Sequence, residues 1–281
     1  MNDLQSALNS IDPHRHFVQF YKANEPALNR NVASFLWDGM LRGDGLLVIA
    51  TPLRRECLSE HLGRLGADIA QARREGQLAM LDADETVARY MVEGRPDWEM
   101  FEAAIGEALQ RVCVRVPAAG VCAYGEMVGV LWEAGRKDAA LRVEEYWNRL
   151  IARYGITLFC GYPIDVFESD FHSGQIEDVL CAHTHVLSTG ANGELGDALN
   201  RAMDELLGAT ADEARASMQN SLSSAGPVLP EAESAIFWLR NNIPEHADKI
   251  LARARAHYER FTNPGCERAS GGSEPNSLLV T

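Results

Sequence analysis

Polar and aromatic residues gather where short apolar runs of this chain end. Tyr21 closes the run from His16, Thr51 follows Gly45 to Ala50, Glu126 follows Gly120 to Gly125, and Tyr162 follows Ile156 to Gly161. A carboxylate at a strand end beside a flexible glycine can accept a hydrogen bond from a bound molecule. It can equally cap a helix or hold an ion pair. Tyr162, just before Pro163, can wall a cleft with its ring and aim its hydroxyl inward, or it can simply pack. His16 and Tyr21 stand five apart, which places them on opposite faces of a regular strand. Tyr21 is therefore the better pocket residue of the two, and His16 reads as structural. His183 and His185 are two apart on a predicted helix, about 200° around its axis, and cannot chelate one metal there. Each reads as a structural histidine, one toward the sheet and one toward solvent. A metal site joining them to His16 requires a proximity that spacing does not supply.

The candidate ligand-binding set is thus Tyr21, Glu126, Tyr162, His16 and His185, with Tyr21, Glu126 and Tyr162 expected to converge on one concavity. No metal ligand, cofactor or catalytic residue is assigned. There is no G-x-S-x-G elbow and no histidine in a kinase context, and helix capping accounts for Asp82, Asp84 and Glu85. The six cysteines show no CxxC pair and no regular spacing, so zinc-ribbon and disulfide-framework readings fail; Cys113, Cys122 and Cys160 read as small buried hydrophobes.

These residues need elements to hold them. His16 to Tyr21 reads as a strand and Asn29 to Leu41 as a helix. The connection Lys22-Ala23-Asn24-Glu25-Pro26-Ala27-Leu28 occupies the place of a phosphate loop. It has no glycine to let backbone N–H groups converge on phosphate, and Glu25 would repel an anion. Strands are predicted at 45–50, 77–81, 120–124 and 156–160. Helices follow at Pro52 to Leu65, with Thr51 as N-cap, and from Asp84 to about Val92. Others run from Asp97 through Val112, over Lys137 to Tyr154, and from Gly174 to about Leu187. Strand and helix alternate, so parallel crossovers in a three-layer α/β sandwich are expected, with ligands beyond the carboxyl ends of the strands.

Past a glycine- and asparagine-containing stretch, Gly190 to Gly196, only helices are predicted: 197–207, 212–222, 231–241 and 244–261. Ala235, Ile236, Leu239 and Ile243 make an apolar stripe that either forms this unit's own core or meets a partner. Asn263 to Thr281 has the composition of a disordered tail.

The net charge of −14 on 281 residues argues against nucleic acid and anionic membranes as partners. No apolar run approaches the roughly 20 residues that span a bilayer. The polar N-terminus lacks signal-peptide layout, so a cytoplasmic location is expected.

Several motifs together resemble one family, the MEDS domain, named for methanogens, methylotrophs and the regulator DcmR. They are Ala50-Thr51-Pro52, Asp82-Ala83-Asp84-Glu85-Thr86, Met91 to Asp97, Tyr124-Gly125-Glu126-Met127-Val128, Glu145-Tyr146-Trp147-Asn148, Cys160-Gly161-Tyr162-Pro163 and Ala182-His183-Thr184-His185-Val186. The resemblance spans about Pro13 to Leu187. It implies a degenerate RecA/KaiC-like fold without a phosphate loop and a role in sensing small hydrocarbon derivatives. It also implies a partner such as a histidine kinase or transcription regulator.

The resulting expectation is a sensory unit over 13–189, a helical appendage over 197–261 that self-associates or binds a partner, and a tail over 262–281. The expected function is non-enzymatic signal transduction. A ligand-free interaction module and a residual nucleotide binder remain the alternatives.

Overall fold

The computed structural model describes residues 15–22, 26–113, 120–172, 174–189, 193–222 and 229–262. Its centre is a six-stranded, all-parallel sheet in the order β3-β2-β6-β7-β1-β8. The strands are β1 (His16–Phe20), β2 (Gly45–Ala50), β3 (Leu78–Asp82), β6 (Val121–Gly125), β7 (Ile156–Tyr162) and β8 (His185–Leu187). A separate two-stranded ribbon pairs β4 (Met91–Val92) with β5 (Arg95–Pro96). All residues of β1, β2 and β6 are buried, as a parallel sheet covered on both faces requires.

One face is covered by α1 (Pro26–Arg42), α2 (Pro52–Leu65) and α3 (Ile69–Arg74), which bury Phe35, Leu36, Leu58 and Leu62 against Phe17, Val48 and Phe159. The other carries α4 (Ala83–Tyr90), α5 (Trp98–Cys113), α6 (Met127–Glu133), α7 (Lys137–Tyr154) and α8 (Gly174–Ala182). Connections after β1 and β2 therefore run over the first face, and those after β3, β6 and β7 over the second. Neighbouring strands β2 and β6, and likewise β1 and β7, send their chains to opposite faces. Such switch points are where an open parallel sheet leaves a crevice beyond its carboxyl ends.

Three expectations need correction. The helix expected to start at Asp84 and reach Val92 is instead capped by Asp82, whose carboxylate accepts from the Glu85 N–H at 3.0 Å, and it ends at Tyr90. Glu93 and Gly94 both have positive φ, which makes a tight hairpin turn and sends Met91–Val92 into the ribbon. The helix expected to run to about Leu187 stops at Ala182. Thr184 exchanges bonds with the backbone of His16: its N–H donates to the carbonyl at 2.9 Å, and its hydroxyl accepts from the His16 N–H at 2.9 Å. That clamp lays His185–Leu187 against β1 as an edge strand. The Thr51 side chain does not cap α2; it is bonded elsewhere, as described below. Residue 173, the loop residues 23–25, the tail 263–281 and the N-terminal residues before 15 lie outside the described residues.

The C-terminal helices are α9 (Glu194–Leu207), α10 (Ala211–Leu222), α11 (Glu231–Asn242) and α12 (Pro244–Thr262). They pack onto the second face. Phe237 meets Phe171 edge-on at 5.0 Å, Arg240 donates to the Phe167 carbonyl at 2.9 Å, and Arg255 pairs with Asp165 at 3.0 Å and Glu168 at 2.8 Å. The stripe residues Ala235, Ile236 and Leu239 are buried in an apolar cluster continuous with the sheet's own core, and Ile243 is packed against it. They do not form an exposed patch. Among the described residues no helix is long and apolar enough to cross a membrane.

Candidate functional site

Two polar clusters lie on opposite faces of the same strands. The first sits at the carboxyl edge. Glu126 follows β6 and is held by three donors: the Thr51 N–H at 2.8 Å, the Thr51 hydroxyl at 3.0 Å and the Arg54 Nε at 2.9 Å. Arg54, in the first turn of α2, also donates to Asn29 Oδ1 at 2.6 Å and lies 5.0 Å from the centre of the Tyr21 ring. Pro52 at the start of α2 sets that turn without costing a hydrogen bond, so Arg54 points back over the edge. Beneath the pair lies Tyr124, fully buried, whose hydroxyl has no hydrogen-bond partner among the described residues. Gly161 makes room for it: a Cβ there would stand 3.2 Å from the Tyr124 hydroxyl and 3.3 Å from the Tyr21 ring. Burial, with the nearby Glu126 carboxylate, pushes the Tyr124 phenol well above its ordinary pKa. It is a fixed O–H donor.

The second cluster lies between the sheet and helices α7 and α8. Glu144 of α7 is fully buried. Its carboxylate accepts from the Tyr162 hydroxyl at 2.8 Å and stands 3.3 Å from His16 Nε2, 3.4 Å from His183 Nε2 and 3.7 Å from Cys160 Sγ. Cys160 Sγ is 3.4 Å from His16 Nε2. Each imidazole is oriented by its other nitrogen. His16 Nδ1 faces two acceptors, Asn148 Oδ1 at 2.9 Å and the Ala182 carbonyl at 3.1 Å. Asn148 is itself fixed, because its amide donates to that same carbonyl at 3.0 Å. His183 Nδ1 faces the Val179 carbonyl at 2.6 Å. A carbonyl can only accept, so both Nδ1 atoms carry the proton and both Nε2 atoms point at Glu144. Burial, reinforced by the adjacent His183 ring, lowers the His16 pKa and favours its neutral form. Burial also raises the Cys160 thiol and the Tyr162 phenol well above their usual values, with Glu144 acting in the same direction.

The expected concavity is therefore divided. Tyr21 and Glu126 meet around Arg54, but Tyr162 faces the other layer and bonds Glu144. His16 points away from Tyr21, as their odd spacing requires, and joins Tyr162 instead. His185 begins the edge strand β8, bonds the Thr184 hydroxyl at 2.8 Å and packs on Phe17 at 5.0 Å. It belongs to neither cluster; His183 is the histidine that turns inward. Arg54, Tyr124, Glu144 and Cys160 are the residues that spacing did not single out. Glu144 carried a signal, since it falls on the buried face of α7 with Ala140, Trp147 and Ile151, where a carboxylate is rare unless paired.

The His16–Cys160 contact has the elements of a thiol–imidazole dyad. A nucleophilic thiolate needs access and a depressed pKa, and this thiol is fully buried with its pKa raised.

The family model described as MEDS, "MEthanogen/methylotroph, DcmR Sensory domain", matches residues 15–184. No curated protein matches the chain. The matched stretch holds the whole sheet up to the clamp at Thr184 and every residue of both clusters, and it covers more than half of the sequence; the chain belongs to the MEDS sensory-domain family.

Proposed function

We propose that the chain is a non-enzymatic, cytoplasmic sensor that takes a small polar hydrocarbon derivative at the carboxyl edge of its sheet. The observation that carries this is the buried Tyr124 hydroxyl, an O–H donor lacking a partner beside Tyr21 and under the Arg54–Glu126 pair. A buried hydroxyl left unbonded costs about 1–3 kcal/mol. A small molecule with one oxygen or nitrogen acceptor and a short apolar body would satisfy it while touching the Tyr21 ring. The glycine-free connection after β1 supports a fold of RecA/KaiC type that no longer takes nucleotide.

Occupancy would pass to the C-terminal helices. Lys22, the residue after Tyr21, pairs with Glu259 of α12 at 2.8 Å, and a shift of Tyr21 is transmitted to that contact. The recipient is a regulatory protein such as a histidine kinase or transcription regulator. The second reading, a ligand-free docking module, is favoured by the closed pairing of Glu126, whose carboxylate already holds three donors.

Thermal unfolding of the full chain with short alcohols, methylamines and chloromethanes, each as a separate probe, tests the proposal. Ligand binding to the native state raises stability by mass action, by about 2.7 kcal/mol at a hundredfold excess over Kd. At least one probe should raise Tm, and Tyr124→Phe should abolish the gain. If no probe raises Tm, the docking-module reading stands. If only Mg-ATP does, the chain is a nucleotide binder.

A further inference from the structure

We propose that His16, Glu144, Cys160 and His183 together bind one tetrahedrally coordinated divalent cation of the zinc class. One donor atom from each lies within 4.8 Å of every other, and all four residues are buried. Zinc bonds of about 2.0–2.1 Å to nitrogen or oxygen and 2.3 Å to sulfur give tetrahedral edges of about 3.3–3.6 Å. Three donors match that closely: His16 Nε2 and Glu144 Oε2 are 3.3 Å apart, His16 Nε2 and Cys160 Sγ 3.4 Å, and Cys160 Sγ and Glu144 Oε2 3.7 Å; His183 Nε2 stands 3.4 Å from the other carboxylate oxygen, Oε1, and a His183 nitrogen lies within 4.8 Å of the other donors. Three of the donors already stand at the spacing that a cation would impose, and His183 need only close onto them.

Proton placement points the same way. Both imidazoles give their Nδ1 proton to a backbone carbonyl, which is how metal-ligating histidines are ordinarily oriented, and both turn Nε2 toward a carboxylate. His183 Nε2 is buried with no hydrogen-bond partner among the described residues. Both Nε2 atoms face the Glu144 carboxylate, to which the Tyr162 hydroxyl and the Cys160 thiol also turn. A cation would satisfy all four groups at once.

Charge balance follows. Two neutral imidazoles, one carboxylate and one thiolate carry two negative charges, so a divalent ion leaves the dry interior neutral. Binding would release one proton, from the Cys160 thiol, to solvent. Two nitrogens and a sulfur disfavour the hard cations Mg²⁺ and Ca²⁺, which take oxygen donors. Four protein ligands leave no open position, which is the form of a structural rather than a catalytic site. The ligands come from β1, α7, β7 and the α8–β8 turn, so the ion would fasten two helices to the sheet. Tyr162, through Glu144, and Asn148, through His16, are positioning residues.

The site is enclosed, so the ion must enter as the chain folds. The test uses full-length protein made in minimal medium supplemented with zinc or with cobalt. Close to one metal per chain is expected, with the intense visible bands of tetrahedral cobalt and a near-ultraviolet thiolate-to-cobalt band. Cys160→Ser should remove the thiolate band, while Cys57→Ser and Cys181→Ser keep it. Asn148→Ala should weaken retention against a competing chelator by about 10–100-fold. Metal-free protein from zinc-supplemented cells would overturn the proposal. So would an octahedral cobalt spectrum, a thiolate band that survives Cys160→Ser, or stoichiometric copper without zinc or cobalt. Should Cys160→Ser fail to fold, the metal count and cobalt spectrum of the parent chain still decide.

Discussion

The edge cluster around Glu126 and the interior cluster around Glu144 are built on the same strands, yet their hydrogen-bond ledgers differ. Glu126 is matched: two donors from Thr51 and one from Arg54 answer a carboxylate, and the group left over is a hydroxyl, Tyr124. Glu144 accepts from the Tyr162 hydroxyl and otherwise faces the Cys160 thiol and two imidazole Nε2 atoms, whose Nδ1 atoms are each bonded to a backbone carbonyl. The unmet valence of a cluster identifies the chemistry it can take. The edge has a hydroxyl without an acceptor among the described residues, which a small neutral molecule would supply. The interior gathers a carboxylate, a thiol and two imidazole nitrogens, which a cation would hold together.

The largest expected effect separates the two. Glu144→Ala removes a group on which His16, His183 and Tyr162 all converge; it leaves several polar groups, the Tyr162 hydroxyl and Cys160 thiol among them, buried without their acceptor at about 1–3 kcal/mol each, and should cost about 3–5 kcal/mol in all. Glu126→Ala leaves Arg54 with Asn29 and partial access to water, and should cost about 1–3 kcal/mol. Denaturant midpoints at unchanged m-value would measure both. Equal costs would erase the distinction.

A third buried carboxylate sharpens it. Glu233 of α11 accepts from the Thr189 N–H and makes no ion pair among the described residues, and burial, against that bond, raises its pKa to about 6. The folded state then holds the proton more tightly than the unfolded state. Its contribution is fully present below the unfolded value near 4.5 and is lost as pH rises through about 6. The loss is about 2 kcal/mol. Glu233→Gln mimics the protonated form, so its stability relative to the parent should rise between pH 4.5 and pH 6 and then stay level. A flat difference would mean that Thr189 alone offsets the burial.

The smallest effect is Tyr124→Phe. Removing an unbonded buried hydroxyl should leave the probe-free chain unchanged or more stable by up to about 1 kcal/mol. A clear destabilisation would show that this hydroxyl is already satisfied, and the edge would lose its open valence.

Much of the fold was legible because the period of apolar residues and the punctuation by glycine and proline are local. Lys137–Tyr154 follows from its amphipathic face, and Gly66, in the left-handed region at φ 107°, ends α2 where expected. The alternation of strand and helix gave the parallel sheet. The early end of the helix at Tyr90 is local, set by the Asp82 cap and the Glu93–Gly94 turn, whereas the other two misplacements come from contacts distant in sequence. Thr184 is 168 residues from His16, and that clamp turns a helical pattern into an edge strand. Of the site, the opposite facing of His16 and Tyr21 followed from period two. The division of Tyr162 from Tyr21 did not, because it depends on β1 and β7 lying side by side in the register Phe20 to Tyr162. The pairing of Glu144 with two histidines also depends on how α7 and the α8–β8 turn meet over β1, which no spacing within one element encodes.

Anomalous diffraction at the zinc edge, from crystals of the full chain grown from zinc-supplemented cells, tests the difference between the clusters most directly. The account predicts one strong peak enclosed by His16 Nε2, His183 Nε2, Cys160 Sγ and the Glu144 carboxylate, and none at Glu126. Zinc found only on exposed carboxylates, or none inside the His16–Glu144 cluster, would contradict it.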